Sequence, residues 1–160
     1  MTDLSSRLTV NAGVAATLDT ADNNVSFTSP VVAGTGASLV KRGSGVLTLG
    51  VANAVNRTLV LAEGGVKLGV ATALATGAQV QFGGGRLIWG SGVSIDVSSK
   101  IQAIPSGVIA GVDVGTSNVL FSTALSGAGG LQKMGNGSLT LSKGQPTLAG
   151  GVTLSQGNLT

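Results

Sequence analysis

The amino-acid sequence predicts an all-β chain folded as a parallel β-helix (β-solenoid) of about seven to eight turns, and three observations carry that prediction. Short runs of alternating apolar and polar residues recur from end to end. Glycine closes almost every run. The runs return at intervals of about 20 residues, a period that in strand-rich sequence indicates a stacked solenoid.

Each strand is read from its period of two. The runs are Leu8-Thr9-Val10, Val46-Leu47-Thr48-Leu49, Thr58-Leu59-Val60-Leu61, Val80-Gln81-Phe82, Val93-Ser94-Ile95-Asp96-Val97 and Ser138-Leu139-Thr140-Leu141. Gly, Asn-Gly or a Ser/Gly cluster ends each one, as tight corners require. Helices are excluded because interior glycines cost about 1 kcal/mol each, and the most permissive stretch, Val66 to Ala78, still holds Gly69 and Gly77. Leu39, Leu47, Leu49, Leu59 and Leu61, with Leu131, Leu139, Leu141 and Leu154, are expected to point inward. With turns about 4.8 Å apart, the body is a rod of about 35 Å.

Composition agrees with a thin, repetitive interior. Hydrophobic residues make up 42% of the chain but aromatics only 2%, so the core is drawn from Val, Leu, Ala and Ile. A mean hydropathy of +0.47 excludes disorder. The net charge of +3 is spread over Arg7, Lys41, Arg42, Arg57, Lys67, Arg86, Lys100, Lys133 and Lys143. With no basic run and no aromatic ladder, no nucleic-acid partner is expected. The lysines read as a solvated surface guarding strand edges. The absence of Cys and His removes disulfides, thiolate nucleophiles and the usual zinc ligands. No apolar run reaches the roughly 18 residues of a membrane-spanning helix. Met1-Thr2-Asp3-Leu4 has no basic or apolar leader, so the expectation is one continuous segment, 1–160, internal to a larger exported protein.

Internal repetition is the strongest signal. Leu39-Val40-Lys41-Arg42-Gly43-Ser44-Gly45-Val46-Leu47-Thr48-Leu49 returns as Leu131-Gln132-Lys133-Met134-Gly135-Asn136-Gly137-Ser138-Leu139-Thr140-Leu141, an offset of 92 residues (131 − 39). The two copies, near 34–69 and 127–160, include the trailing strands Leu59-Val60-Leu61 and Val152-Thr153-Leu154. The pattern of Gly34, Gly36, Leu39, Lys41, Gly43, Gly45, Leu47 and Leu49 resembles the autotransporter-associated β-strand repeat. So does that of Gly127, Gly129, Leu131, Lys133, Gly135, Gly137, Leu139 and Leu141. The resemblance implies a right-handed parallel β-helix within a bacterial autotransporter passenger. It also implies a non-catalytic stalk that supports secretion and folding and is displayed at the cell surface or secreted. The implied partner is the outer-membrane translocator barrel of the same polypeptide. An adhesin or self-association module is the alternative, and a polysaccharide-cleaving β-helix the third reading.

The search for chemistry yields little. Ser38-Leu39-Val40-Lys41 spells a Ser-x-x-Lys pair, but on a strand positions i and i+3 face opposite ways. Asp96 and Asp113, 17 residues apart, are near enough to one turn to sit side by side as sugar-cleaving acids. Turn caps are the competing reading of both, as of Asp3, Asp19, Asp22 and Glu63. No calcium-binding Gly-Gly-x-Gly-x-Asp repeat and no phosphate-cradling loop is present, and no cofactor or metal is expected. Trp89 either presents an exposed contact or fills a widened turn. Ile101 to Ala110, containing Pro105, breaks the strand rhythm and reads as a projecting loop. The mid-repeat sequence Gln156-Gly157-Asn158-Leu159-Thr160 makes the last turn the expected site of fraying or end-to-end association.

Overall fold

The structure, a computed structural model, describes residues 3–52, 55–143 and 147–160. Met1-Thr2 of the expected leaderless start lies outside them. The chain winds through about seven turns. The first turn holds β1 (Thr9–Val10), β2 (Ala15–Asp19) and β3 (Val25–Phe27), and the second β4 (Val32–Ala33), β5 (Ser38–Arg42) and β6 (Val46–Leu49). The third carries β7 (Thr58–Leu61) and β8 (Gly65–Leu68), the fourth β9 (Gln79–Phe82) and β10 (Arg86–Trp89), and the fifth β11 (Ile109–Asp113). The sixth is β12 (Val119–Phe121), β13 (Ser126–Gly127) and β14 (Gly130–Met134). The seventh is β15 (Ser138–Leu141), β16 (Thr147–Leu148) and β17 (Val152–Leu154), after which β18 (Asn158–Leu159) opens another.

Each strand pairs in parallel with its counterpart one turn away, so the body is walled by stacked parallel sheets. One wall is the seven-stranded sheet β3-β6-β8-β10-β11-β14-β17; a second carries β2-β5-β7-β9 and then β13-β16. The third starts with β1-β4, continues through the Val55–Leu74 bridge and ends as β12-β15-β18. Stacking is in register. Leu39, Leu59 and Val80 form one inward column, and Leu47, Val66, Leu87 and Val112 another. All of these are at most 4% exposed. Burying an aliphatic side chain of this size stabilises by about 1.5–3 kcal/mol, and it requires chain packed over the side chain on both sides.

That condition explains where the expectation fails. Leu39, Leu47, Leu49, Leu59, Leu61, Leu131 and Leu139 are buried, whereas Leu141 is half-buried and Leu154 is 49% exposed. Leu154 pairs with Lys133 on one side, and no described strand lies on its other side. Nor does the stretch from Ile101 to Ala110 project. Ile101 bridges Val80, Ile104 bridges Gly127, and Ile104 and Ala110 are buried in the wall. Pro105 lacks only an N–H that this corner does not use. Short 3-10 turns at Ser5–Arg7 and Ser98–Lys100 are the only helical elements among the described residues.

Candidate functional site

The two motif lysines do not guard the surface. Lys41 and Lys133 are both 0% exposed. In β5 alternation places Lys41 on the inward face with Leu39, stacked between Leu18 and Leu61. Lys133 stacks between Val112 and Leu154. The aliphatic stem runs through the core and the ammonium ends in a glycine corner. There Lys41 Nζ donates to the carbonyl oxygens of Arg42 and Gly43 at 2.8 Å each and of Glu63 at 3.4 Å. Lys133 Nζ donates to those of Gly135 at 2.6 Å, Gly137 at 2.5 Å and Gln156 at 3.0 Å. Each ammonium thus ties one turn to the next. Burial pulls both lysines below the ordinary value of 10.5; the Asp19 and Glu63 carboxylates partly offset this at Lys41, and Asp113 alone does so at Lys133.

The motif glycines shape these corners. Gly43 and Gly135 each have φ 82°, the left-handed region that side chains avoid. At Gly45 a Cβ would collide with Asn23 O, and at Gly137 with Ser117 O. The turns are therefore packed backbone on backbone. Ahead of β5 the copies diverge. The Gly34 N–H donates to Val10 O, while its counterpart donation, to Ile104 O, comes from Gly129. Gly36 lies in the first copy's turn and Gly127 within β13.

The carboxylates are corner fasteners as well. Asp96 accepts from Ser98 N–H at 2.8 Å, Ser122 N–H at 2.9 Å and Ser122 Oγ–H at 2.5 Å. Burial pushes its carboxyl up, but the Ser122 and Ser98 hydrogen bonds outweigh that and hold it below the ordinary 3.8. Asp113, on β11 beside Ile88 and Met134, accepts from Gly115 N–H at 3.0 Å. The two acids share no hydrogen-bond partner and hold different corners, so the side-by-side arrangement expected from their spacing does not form. Turn length is not constant, and 17 residues do not span one turn here. No group of three or more His, Cys, Asp or Glu is placed to hold a metal among the described residues. Ser38 lies on the face of β5 opposite Lys41, as alternation requires.

Trp89 is 2% exposed, so it is core and not a surface contact. Its ring lies 5.9 Å from that of Phe121, and its indole N–H donates to Ile95 O at 3.0 Å. Beside it opens a groove of about 280 Å³ lined by residues that include Leu68, Thr72, Ile95, Asp96 and Lys100. Both charged groups there are engaged, Lys100 Nζ with Ala75 O and Thr76 O at 2.7 Å each.

What sequence reasoning missed is how far the duplication extends. Asp3-Leu4-Ser5-Ser6-Arg7-Leu8 returns as Asp96-Val97-Ser98-Ser99-Lys100-Ile101, each forming the same 3-10 turn. Asp3 accepts from the N–H groups of Ser5 and Thr28 as Asp96 does from those of Ser98 and Ser122. Asp19 and Asp113 cap the same corner, Asn24 and Asn118 bond to the next turn, and Phe27 and Phe121 are both buried. The signal was present in the hexapeptide, but offsets drifting between 92 and 94 residues hide it from a fixed-period scan.

Fold and corners together define a class: a β-solenoid of about seven turns, built as a tandem duplication whose polar groups fasten turn to turn. Compared with family models, curated proteins and solved structures, the chain gives no match.

Proposed function

We propose that this chain is a non-catalytic stalk segment of a bacterial autotransporter passenger, exported through the outer-membrane barrel of its own polypeptide and displayed at the cell surface or secreted. One observation carries the reading: the motif residues that resemble the autotransporter-associated repeat are the ones that lock turn to turn. Lys41, Lys133 and the glycines around them serve stacking, and the best-placed acids cap backbone N–H groups. A rod of this kind gains stability as each turn stacks on the last, which suits a chain that folds as it emerges from a pore.

The test is display. The chain is fused ahead of an outer-membrane barrel with an N-terminal epitope, and surface epitope is measured against a Gly45→Val variant. The expected result is efficient, protease-resistant display that falls severalfold in the variant. Equal display of both would overturn the stalk reading. Incubation with plant and bacterial polysaccharides is expected to release no reducing ends; turnover abolished by Asp96→Asn would make the protein an enzyme.

A further inference from the structure

The two corners that hold the buried lysines differ at a position that carries chemistry of its own. Gly43-Ser44-Gly45 in the first unit becomes Gly135-Asn136-Gly137 in the second, the chain's one Asn-Gly pair. In such a pair the glycine has no side chain to obstruct the approach of its own nitrogen to the preceding side-chain amide. Asn136 is exposed in the bend between β14 and β15, so its amide is open to solvent. The attacking nitrogen is not. The Gly137 N–H donates to Gly115 O at 2.8 Å, and a Cβ on Gly137 would collide with Ser117 O, so this peptide unit is packed on the turn beneath. Lys133 Nζ grips the carbonyl oxygens of Gly135 and Gly137, one on each side of Asn136. While the corner is closed, Gly137 N is held away from Asn136 Cγ.

We propose that Asn136 is a self-modification site latched by this corner, converting to isoaspartate or aspartate when the corner opens and spared while it is closed. In the open corner the Gly137 nitrogen bonds to Asn136 Cγ and the Cγ–Nδ2 bond breaks. The side-chain nitrogen leaves as ammonia, taking the proton that Gly137 gives up. Water then adds across one C–N bond of the cyclic imide. Addition at Cγ leaves aspartate. Addition at the Asn136 carbonyl carbon leaves isoaspartate, whose main chain is longer by a methylene. That extra length falls where backbone packs on backbone, so the Gly137 N–H and the carbonyls around Lys133 Nζ do not all regain their places. The change is one-way, and the corner keeps a record of time spent open. Ser44 has no amide to lose, although the Gly45 N–H is tied to Ala21 O at 2.9 Å in the same manner. The first unit therefore has the latch without the chemistry. The inference rests on the corner geometry and is independent of the stalk reading.

The experiment holds the full chain at mildly alkaline pH, folded or in urea, and follows isoaspartate at position 136 by peptide mapping. The folded chain is expected to convert about a hundredfold or more slowly than the unfolded one, because the rate tracks the open population. Lys133→Met should raise the folded rate about tenfold by removing the donor to both carbonyls, while Lys41→Met, at the other corner, leaves it unchanged. Asn136→Ser, which copies Ser44, should keep the parent's urea midpoint and yield no isoaspartate there. Conversion as fast in the folded chain as in urea would overturn the proposal, and so would equal acceleration by the two Met variants. Should Lys133→Met fail to fold, hydrogen exchange in the parent decides: a Gly137 amide exchanging as fast as in the unfolded chain would show that no latch exists.

Discussion

The two duplicated units carry out the same task with different residues, and the differences separate what a corner needs from what it tolerates. The first unit caps Gly43 N–H with the Glu63 carboxylate, while the second caps Gly135 N–H with the Gln156 amide. The first holds Ala21 at φ 48°, the only described non-glycine residue with positive φ; the second has Gly115 there at φ 56°. The buried lysine and the close-packed glycine are the same in both. A charge at the cap and a strained alanine vary between the units, whereas the ammonium and the bare Cα do not. The units differ most in burial: Leu61 is 1% exposed and its counterpart Leu154 49%. Burial in a solenoid is thus a property of the neighbouring turn as much as of the residue.

The largest effect is expected where backbone meets backbone. Gly45→Val forces a branched side chain onto Asn23 O, and Gly137→Val does so onto Ser117 O. Each should cost about 3 kcal/mol or more in urea unfolding. Equal losses would show that the two corners are equivalent despite their different caps. A near-neutral Gly137→Val would show that the second unit relaxes toward its uncovered end.

Next in size are Lys41→Met and Lys133→Met, which keep the stem and leave three carbonyl groups without their donor. A cost of about 1–3 kcal/mol is expected, larger at Lys41, whose corner is overlaid by further turns. Both folded lysines have lowered values, so between those values and 10.5 the unfolded chain binds more protons. Their contribution to stability therefore rises with pH through that window. Urea midpoints measured from pH 7.5 to 10.5 should climb in the parent and flatten in the double Met variant.

The smallest effect sharpens the comparison at a single dihedral angle. Ala21→Gly should stabilise and Gly115→Ala destabilise, each by about 1 kcal/mol, because the left-handed region penalises a Cβ. Thermal melting resolves both, and shifts of the same sign would refute the equivalence of the two corners.

Much of this was readable from the residues. Alternation located five of the six strand runs, Val93 to Val97 forming none, and all the inward leucines but Leu141 and Leu154, and the returning glycine–leucine motif gave the stacking. Alternation also placed Lys41 beside Leu39 on the inward face, but the general exposure of lysine argued for the surface. Only the carbonyl-lined corner, which arises when two turns stack, reverses that preference. The separation of Asp96 from Asp113 was not readable, because turns vary in length and the acids are drawn to local N–H groups. Nor did the break around Pro105 signal its outcome, since Ile104 fills the core only once β13 lies beside it.

The duplicated unit does not close on a whole number of turns. β2 lies on the second wall in the first turn, and its copy β11 lies on the seven-stranded wall in the fifth. One unit therefore advances four turns and one further wall, so its successor is rotated by about a third of a revolution. Every outward side chain of the unit reappears at a new azimuth. In any array of such units, equivalent residues would trace a slow screw around the axis, returning to the same bearing only after three units. A partner approaching from one direction would meet a different wall of each successive copy, so a sequence that repeats along the chain presents no repeat to an observer on one side.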